Sequence, residues 1–248
     1  MQQPSLTFLH GFMGDTADWD ELRDSLDAGD GSDLAMIMHA PPILPAKDWE
    51  SGLGQLANSI PKHSLLIGYS MGARLALSLA MEFPERTCGL VLISGNPGLQ
   101  SDLQRKTRFD HDEALASKIE TLSAAEETRQ FLEEWYQQSV FATTSDAVRQ
   151  CEIERKLLQQ NRSSWPDVLR TFSVARQPNY WLRLHSLKIP VLLIAGEKDE
   201  KYCRIANRFV EASNSNTTTA TIVPDCGHIV HREQTATVSR VINEFRRR

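Results

Sequence analysis

The chain has 248 residues, 41% of them hydrophobic, and a formal net charge of −5. That length and composition suffice for one large α/β domain or two small ones around a substantial core. The acidic balance lacks the basic footprint of a nucleic-acid binder, so an acidic ligand would have to be held by local cations.

Leu6-Thr7-Phe8-Leu9 reads as a compact apolar strand. Residues 1–6 lead into it without a basic segment and a long apolar run, so no secretory leader is expected. The strand ends in the glycine-punctuated loop His10-Gly11-Phe12-Met13-Gly14-Asp15. A helix is expected next, with Asp18 as its N-cap and Trp19, Leu22 and Leu26 on one face. Residues 34–38 read as a second strand. Ala40-Pro41-Pro42-Ile43-Leu44-Pro45 cannot be helical, because proline lacks the N–H and clashes with the preceding turn. Residues 49–60 return to helix.

Leu65-Leu66-Ile67-Gly68-Tyr69-Ser70-Met71-Gly72-Ala73-Arg74-Leu75 passes from an apolar run through Gly-x-Ser-x-Gly into a helix pattern. Such a strand–turn–helix is a nucleophile elbow, with Ser70 at a strained apex that only small flanking residues accommodate. Free N–H groups at the start of the following helix point at any anion that forms near the hydroxyl.

Residues 89–94 form another buried strand, ending at Gly95-Asn96-Pro97-Gly98. Alternating strands and helices imply an α/β fold with a mostly parallel sheet flanked by helices, which binds ligands at the carboxyl ends of its strands. From 99 to 181 the pattern turns to charged, helix-period sequence at 113–119, 124–136, 145–160 and 166–174. The expected organisation is a core of residues 1–98 and 182–248 with a helical cap, 99–181, inserted over its site. The alternative is an independent helical domain. The sheet resumes at 189–195, followed by a helix at 202–211, an edge strand at 217–223, and a final amphipathic helix carrying Val238, Val241, Ile242 and Phe245.

Serine needs an imidazole to take its proton and a carboxylate to orient that imidazole. Asp199 and His228 each follow a late strand, giving the order Ser, Asp, His expected on this sheet. Asp225 and Glu197 compete as the acid, and His231 competes with His228. The backbone N–H groups of Met71 and Phe12 are the expected oxyanion-hole donors, while His10 braces its loop. Arg74, one turn into the elbow helix, calls for either a bound anion or an internal carboxylate. Arg105, Lys106 and Arg108 add cations at the start of the insertion. Cys88, Cys151, Cys203 and Cys226 show no metal-ligand spacing, which fits a reducing compartment. With no segment of membrane-spanning length and apolarity, a cytoplasmic enzyme is expected.

His10-Gly11-Phe12, Gly68-Tyr69-Ser70-Met71-Gly72-Ala73-Arg74, Gly95-Asn96-Pro97-Gly98-Leu99-Gln100, Trp135-Tyr136-Gln137-Gln138-Ser139-Val140-Phe141 and Cys226-Gly227-His228 together carry a narrower resemblance. Over nearly its full length the chain resembles the 2-succinyl-6-hydroxy-2,4-cyclohexadiene-1-carboxylate synthases of menaquinone biosynthesis, a family of α/β-hydrolase fold. The resemblance implies a lyase that releases pyruvate without water, metal or organic cofactor. It implies catalytic Ser70, Asp199 and His228, oxyanion donors Phe12 and Met71, and a small polycarboxylate substrate held by Arg74 and Arg108 between Tyr69 and Trp135. The chain departs from the family at Pro41-Pro42-Ile43-Leu44-Pro45, where a Pro-Gly-His-Gly type loop is common. A further family arginine in the third insertion helix has Arg155 or Lys156 as its nearest counterpart. A carboxylic ester or carbon–carbon bond hydrolase is the rival reading of the same triad, and a non-enzymatic binding module is the rival of another class.

Overall fold

The computed structural model describes residues 5–30 and 37–247. Among them, six strands form one parallel sheet in the order β2-β1-β3-β4-β5-β6: β1 (Leu6–Leu9), β2 (Met38–His39), β3 (Ser64–Tyr69), β4 (Thr87–Ile93), β5 (Val191–Gly196) and β6 (Thr218–Val223). Of the second strand expected at 34–38, residues 34–36 lie outside the described residues; Met38 pairs with Leu6. The helices are α1 (Asp20–Asp30), α2 (Trp49–Ser59), α3 (Met71–Glu82), α4 (Asp102–Glu120), α5 (Ala125–Tyr136), α6 (Asp146–Leu158), α7 (Trp165–Phe172), α8 (Glu200–Ser213), α9 (Val230–Glu233) and α10 (Thr235–Arg246).

Period-two alternation divides the sheet between two cores. Leu66, Leu90, Leu92, Val191 and Leu193 face Trp49, Leu53, Ala76 and Phe209 of α2, α3 and α8. Leu65, Ile67, Val91, Ile93, Leu192 and Ile194 face Leu22 and Leu26 of α1 and Val238, Val241 and Ile242 of α10. With both faces covered, each central strand reads as a continuous apolar run. Trp19, Leu22 and Leu26 are buried as expected, but Asp18 is not the cap. Asp15 accepts from the Ala17 N–H at the start of a 3-10 turn, and Asp18 accepts in return from the Asp15 N–H at 3.3 Å. The turn brings the helix in earlier than the apolar pattern announces.

Helices α4 to α7 lie between β4 and β5 in sequence and build a third apolar cluster from Ile119, Phe131, Leu132, Tyr136, Phe141, Ile153 and Trp165, joined by Met13 and Ile229 from the two sides of the sheet's carboxyl end. Charged contacts also tie this segment down. Arg155 reaches the Ala17 carbonyl and Asp18, Arg232 of α9 reaches Glu152 of α6, and Thr144 donates to Glu233.

Candidate active site

The elbow needs glycine at two positions, because α3 lies too close to β3 at Gly68 and to β1 at Gly72 for a side chain to fit. A Cβ on Gly68 would lie 2.4 Å from the Gly72 carbonyl oxygen, and one on Gly72 would lie 1.8 Å from that of Leu9. Between them Ser70 has φ +50° and ψ −106°, a conformation that side chains rarely adopt, held by its N–H donating to the Ile93 carbonyl at 2.9 Å. The hydroxyl makes no cap to its own helix and faces the cavity instead.

His228 Nδ1 lies 2.7 Å from Asp199 Oδ2, and His228 Nε2 lies 3.5 Å from Ser70 Oγ. Asp199 and His228 are both buried. Asp199 Oδ1 accepts from the Tyr202 N–H, so one oxygen is fixed by α8 and the other is left for the imidazole. The rival residues lie elsewhere. Asp225 pairs with Lys198 at 3.6 Å, Glu197 accepts from the Asp225 N–H, and His231 stacks on Trp19 and Tyr69.

Two residues that the sequence pattern does not mark hold the histidine loop. Ser94, buried with φ +50°, donates from Oγ to the His228 carbonyl at 3.0 Å. The Glu233 carboxylate accepts from the N–H groups of Gly227 and Ile229, on either side of His228. His10 is buried, with Nδ1 2.8 Å from the Gly11 carbonyl, and burial lowers its pKa. It shapes the Phe12 loop.

A cavity of about 280 Å³ opens over Ser70 and His228. Phe12 and Met71 line it together with Arg74, Arg108, Trp135, Gln138, Phe141 and Tyr202. Met71 is the first residue of α3, so its N–H has no carbonyl one turn back in the helix to bond. Phe12 packs edge-on against Trp135 at 5.5 Å. Tyr69 turns the other way. It lines a small cavity behind Ser70 with Trp135, Tyr136, Glu152 and Lys156, and burial raises its pKa.

Arg74 donates to the Phe172 carbonyl at 3.0 Å and to Gln177 Oε1 at 3.4 Å, and its guanidinium lies 6.0 Å from the Trp49 ring centre. Among the described residues no carboxylate pairs with it. Burial and the nearby Arg108 guanidinium lower its pKa to about 10, which still leaves it charged at neutral pH. Arg108 pairs with Asp112 at 2.7 Å, and Asp112 also accepts from Ser173. Arg105 bonds the Gln177 carbonyl, and Lys106 pairs with Asp110; neither lines the cavity. Lys156 is buried against Glu152 and faces the small rear cavity, whereas Arg155 turns to Asp18.

A serine at a strained elbow, a histidine and acid on later strand ends, and a parallel sheet flanked by helices define a class. The alpha/beta hydrolase family model matches residues 8–241, and the chain belongs to that family. The 2-succinyl-6-hydroxy-2,4-cyclohexadiene-1-carboxylate synthase of Escherichia coli O1:K1 is 30% identical over 95% of this chain and 90% of its own length, and that of Enterobacter sp. strain 638 is 28% identical over 98% and 92%. Within the hydrolase fold, the chain is therefore a member of the 2-succinyl-6-hydroxy-2,4-cyclohexadiene-1-carboxylate synthase family. Among solved structures, MenH from S. aureus aligns with a TM-score of 0.84 at 23% identity, covering 99% of this chain and 94% of that one.

Proposed function

We propose that the chain is a lyase of menaquinone biosynthesis that eliminates pyruvate from 2-succinyl-5-enolpyruvyl-6-hydroxy-3-cyclohexene-1-carboxylate to give 2-succinyl-6-hydroxy-2,4-cyclohexadiene-1-carboxylate. The ring proton beside the succinyl ketone is the acidic one. As it leaves, its electron pair forms the 2,3 double bond, the 3,4 pair moves to 4,5, and the carbon–oxygen bond to enolpyruvate breaks. Enolpyruvate then tautomerises to pyruvate. The step balances without water, oxidant or metal.

In this reading His228 takes the Ser70 proton, Ser70 Oγ takes the ring proton, and the imidazolium returns a proton to the departing enolpyruvate. Asp199 orients the imidazole and stabilises its charged form. Charge developing on the succinyl oxygen falls between the Met71 and Phe12 N–H groups. Arg74 and Arg108 hold carboxylates, with Trp135 as a wall of the site, while Tyr69, turned to the rear cavity, supports Ser70 from behind. Residues 99–181 act as a cap, since Arg108, Trp135, Gln138 and Phe141 on the cavity wall all come from that segment. Among the described residues no helix is long and apolar enough to cross a membrane, and we place the enzyme in the cytoplasm.

The observation that carries the reading is Arg74, a half-buried guanidinium on the cavity wall one turn from the nucleophile, with only uncharged partners. An ester hydrolase has no need of it; a polyanionic substrate does. Incubation with the enolpyruvyl substrate, following pyruvate through a coupled dehydrogenase, tests the proposal. Stoichiometric pyruvate is the expected result. Burst kinetics and an acyl-Ser70 species with activated esters, and no pyruvate, would point to the hydrolase instead.

A further inference from the structure

A second, wider cavity of about 660 Å³ opens beside the first, between the N-terminal half of α4 and the outer face of α8. Asn96, Leu99, Arg108 and Lys201 line both. The outer groove adds Arg208 and His111, and neither lining contains an aspartate or glutamate. This is unexpected on a chain with a net charge of −5.

The cations differ in what they already hold. Arg108 is matched by Asp112. Arg208 lies 4.3 Å from the Trp181 ring centre and donates to Gln100 Oε1, neither of which neutralises it. Lys201 lies 5.4 Å from the Tyr202 ring centre and, among the described residues, has no hydrogen bond or salt bridge. Its neighbour Glu200 is engaged by Arg204. Loss of water and the Arg108 guanidinium lower the pKa of the Lys201 ammonium, and the Asp199 carboxylate, already bonded to His228, offsets them only in part. Lys201 is an exposed residue at the rim of the groove, and what sets it apart is its place where the two cavities meet.

We propose that Lys201 is a third carboxylate-binding residue, standing where the outer groove meets the pocket over Ser70, and that this groove is the approach path of the anionic substrate. The inference rests on the lyase reading above. That substrate carries a succinyl, an enolpyruvyl and a ring carboxylate, and Arg74, Arg108 and Lys201 supply one cation for each. The enolpyruvyl acid is the one that departs, and the groove gives it a cationic route outward. Arg208 sits further out and acts on encounter, where like-signed walls concentrate an oppositely charged ligand.

The test compares pyruvate release by wild type, Lys201→Met, Lys201→Arg and Arg208→Gln from low to high ionic strength. Lys201→Met is expected to raise KM by about tenfold or more, the scale of one lost charged contact, with a much smaller change in kcat. It should also flatten the salt dependence of kcat/KM, and Lys201→Arg should restore most of both. Arg208→Gln should weaken the salt dependence with a smaller effect on KM. A Lys201→Met protein with wild-type KM and salt response overturns the inference, as does a Lys201→Arg protein equally impaired. Wild type that releases no pyruvate removes the lyase reading, and this inference with it, so the two failures are distinguishable.

Discussion

At φ +50° Ser70 has its hydroxyl clear of the α3 N-terminus and 3.5 Å from His228 Nε2. Ser70→Ala removes the proton acceptor of the proposed mechanism and is expected to lower kcat for pyruvate release by about 10²–10⁴-fold, measured by the coupled assay. Near-normal turnover would exclude it as the base. Arg74→Met should leave kcat closer to wild type and raise KM by about tenfold or more, because it removes a charged contact made to substrate and transition state alike. The triad residues were legible one at a time, from a glycine-flanked serine and two polar turns after late strands. Ser94 and Glu233 were not. Ser94 is 134 positions from the histidine whose carbonyl it binds, and Glu233 sits in a helix of four residues, so nothing local in sequence announces either role.

The elements of the sheet were readable because parallel strands covered on both faces are unbroken apolar runs. Helix α4 was harder to place. It begins at Asp102, well before the expected 113, because the Ser101–Gln104 capping box starts an almost wholly exposed helix whose buried positions are Asp112, Ala116 and Ile119. An apolar period cannot reveal a helix that buries so little. Packing around the elbow leaves no such freedom: Gly72→Ala places a methyl against the β1 backbone and should destabilise the fold by about 1–3 kcal/mol or more in urea unfolding. Helix α6 offers a different test. Glu152 is buried and meets both Lys156 and Arg232 at 3.2 Å, so Glu152→Ala strands buried positive charge and is expected to cost about 3–5 kcal/mol. A loss below about 1 kcal/mol would show that water already reaches those cations.

Across the whole molecule, acid sensitivity should come first from buried imidazoles. Burial lowers His231 to about 3 and also lowers His10, so the unfolded chain takes up protons near pH 6.5 that the folded chain refuses. Stability from these groups is complete above pH 6.5 and falls as the pH drops below it, the His231 part being lost toward about 3. His231 contributes a slope of up to about 1.4 kcal/mol per pH unit in that window. His231→Phe keeps the stacking on Trp19 and Tyr69 and deletes the buried, unpartnered Nδ1. It is expected to flatten the fall in melting temperature between pH 7 and pH 5, read by thermal melts at each pH; an unchanged slope would show that His231 is not the group responsible.

The Arg74 N–H bonds the Ser70 carbonyl, so the guanidinium and the nucleophile are carried by a single helical turn, while Arg108 belongs to α4. In the proposed function, any tilt of the overlying helices alters one grip on the substrate and leaves the other at a constant offset from the base. The elbow turn is then a measuring stick. A homologue with one more methylene between its terminal acid and its ketone would anchor as well as the true substrate, yet present the wrong carbon to the hydroxyl.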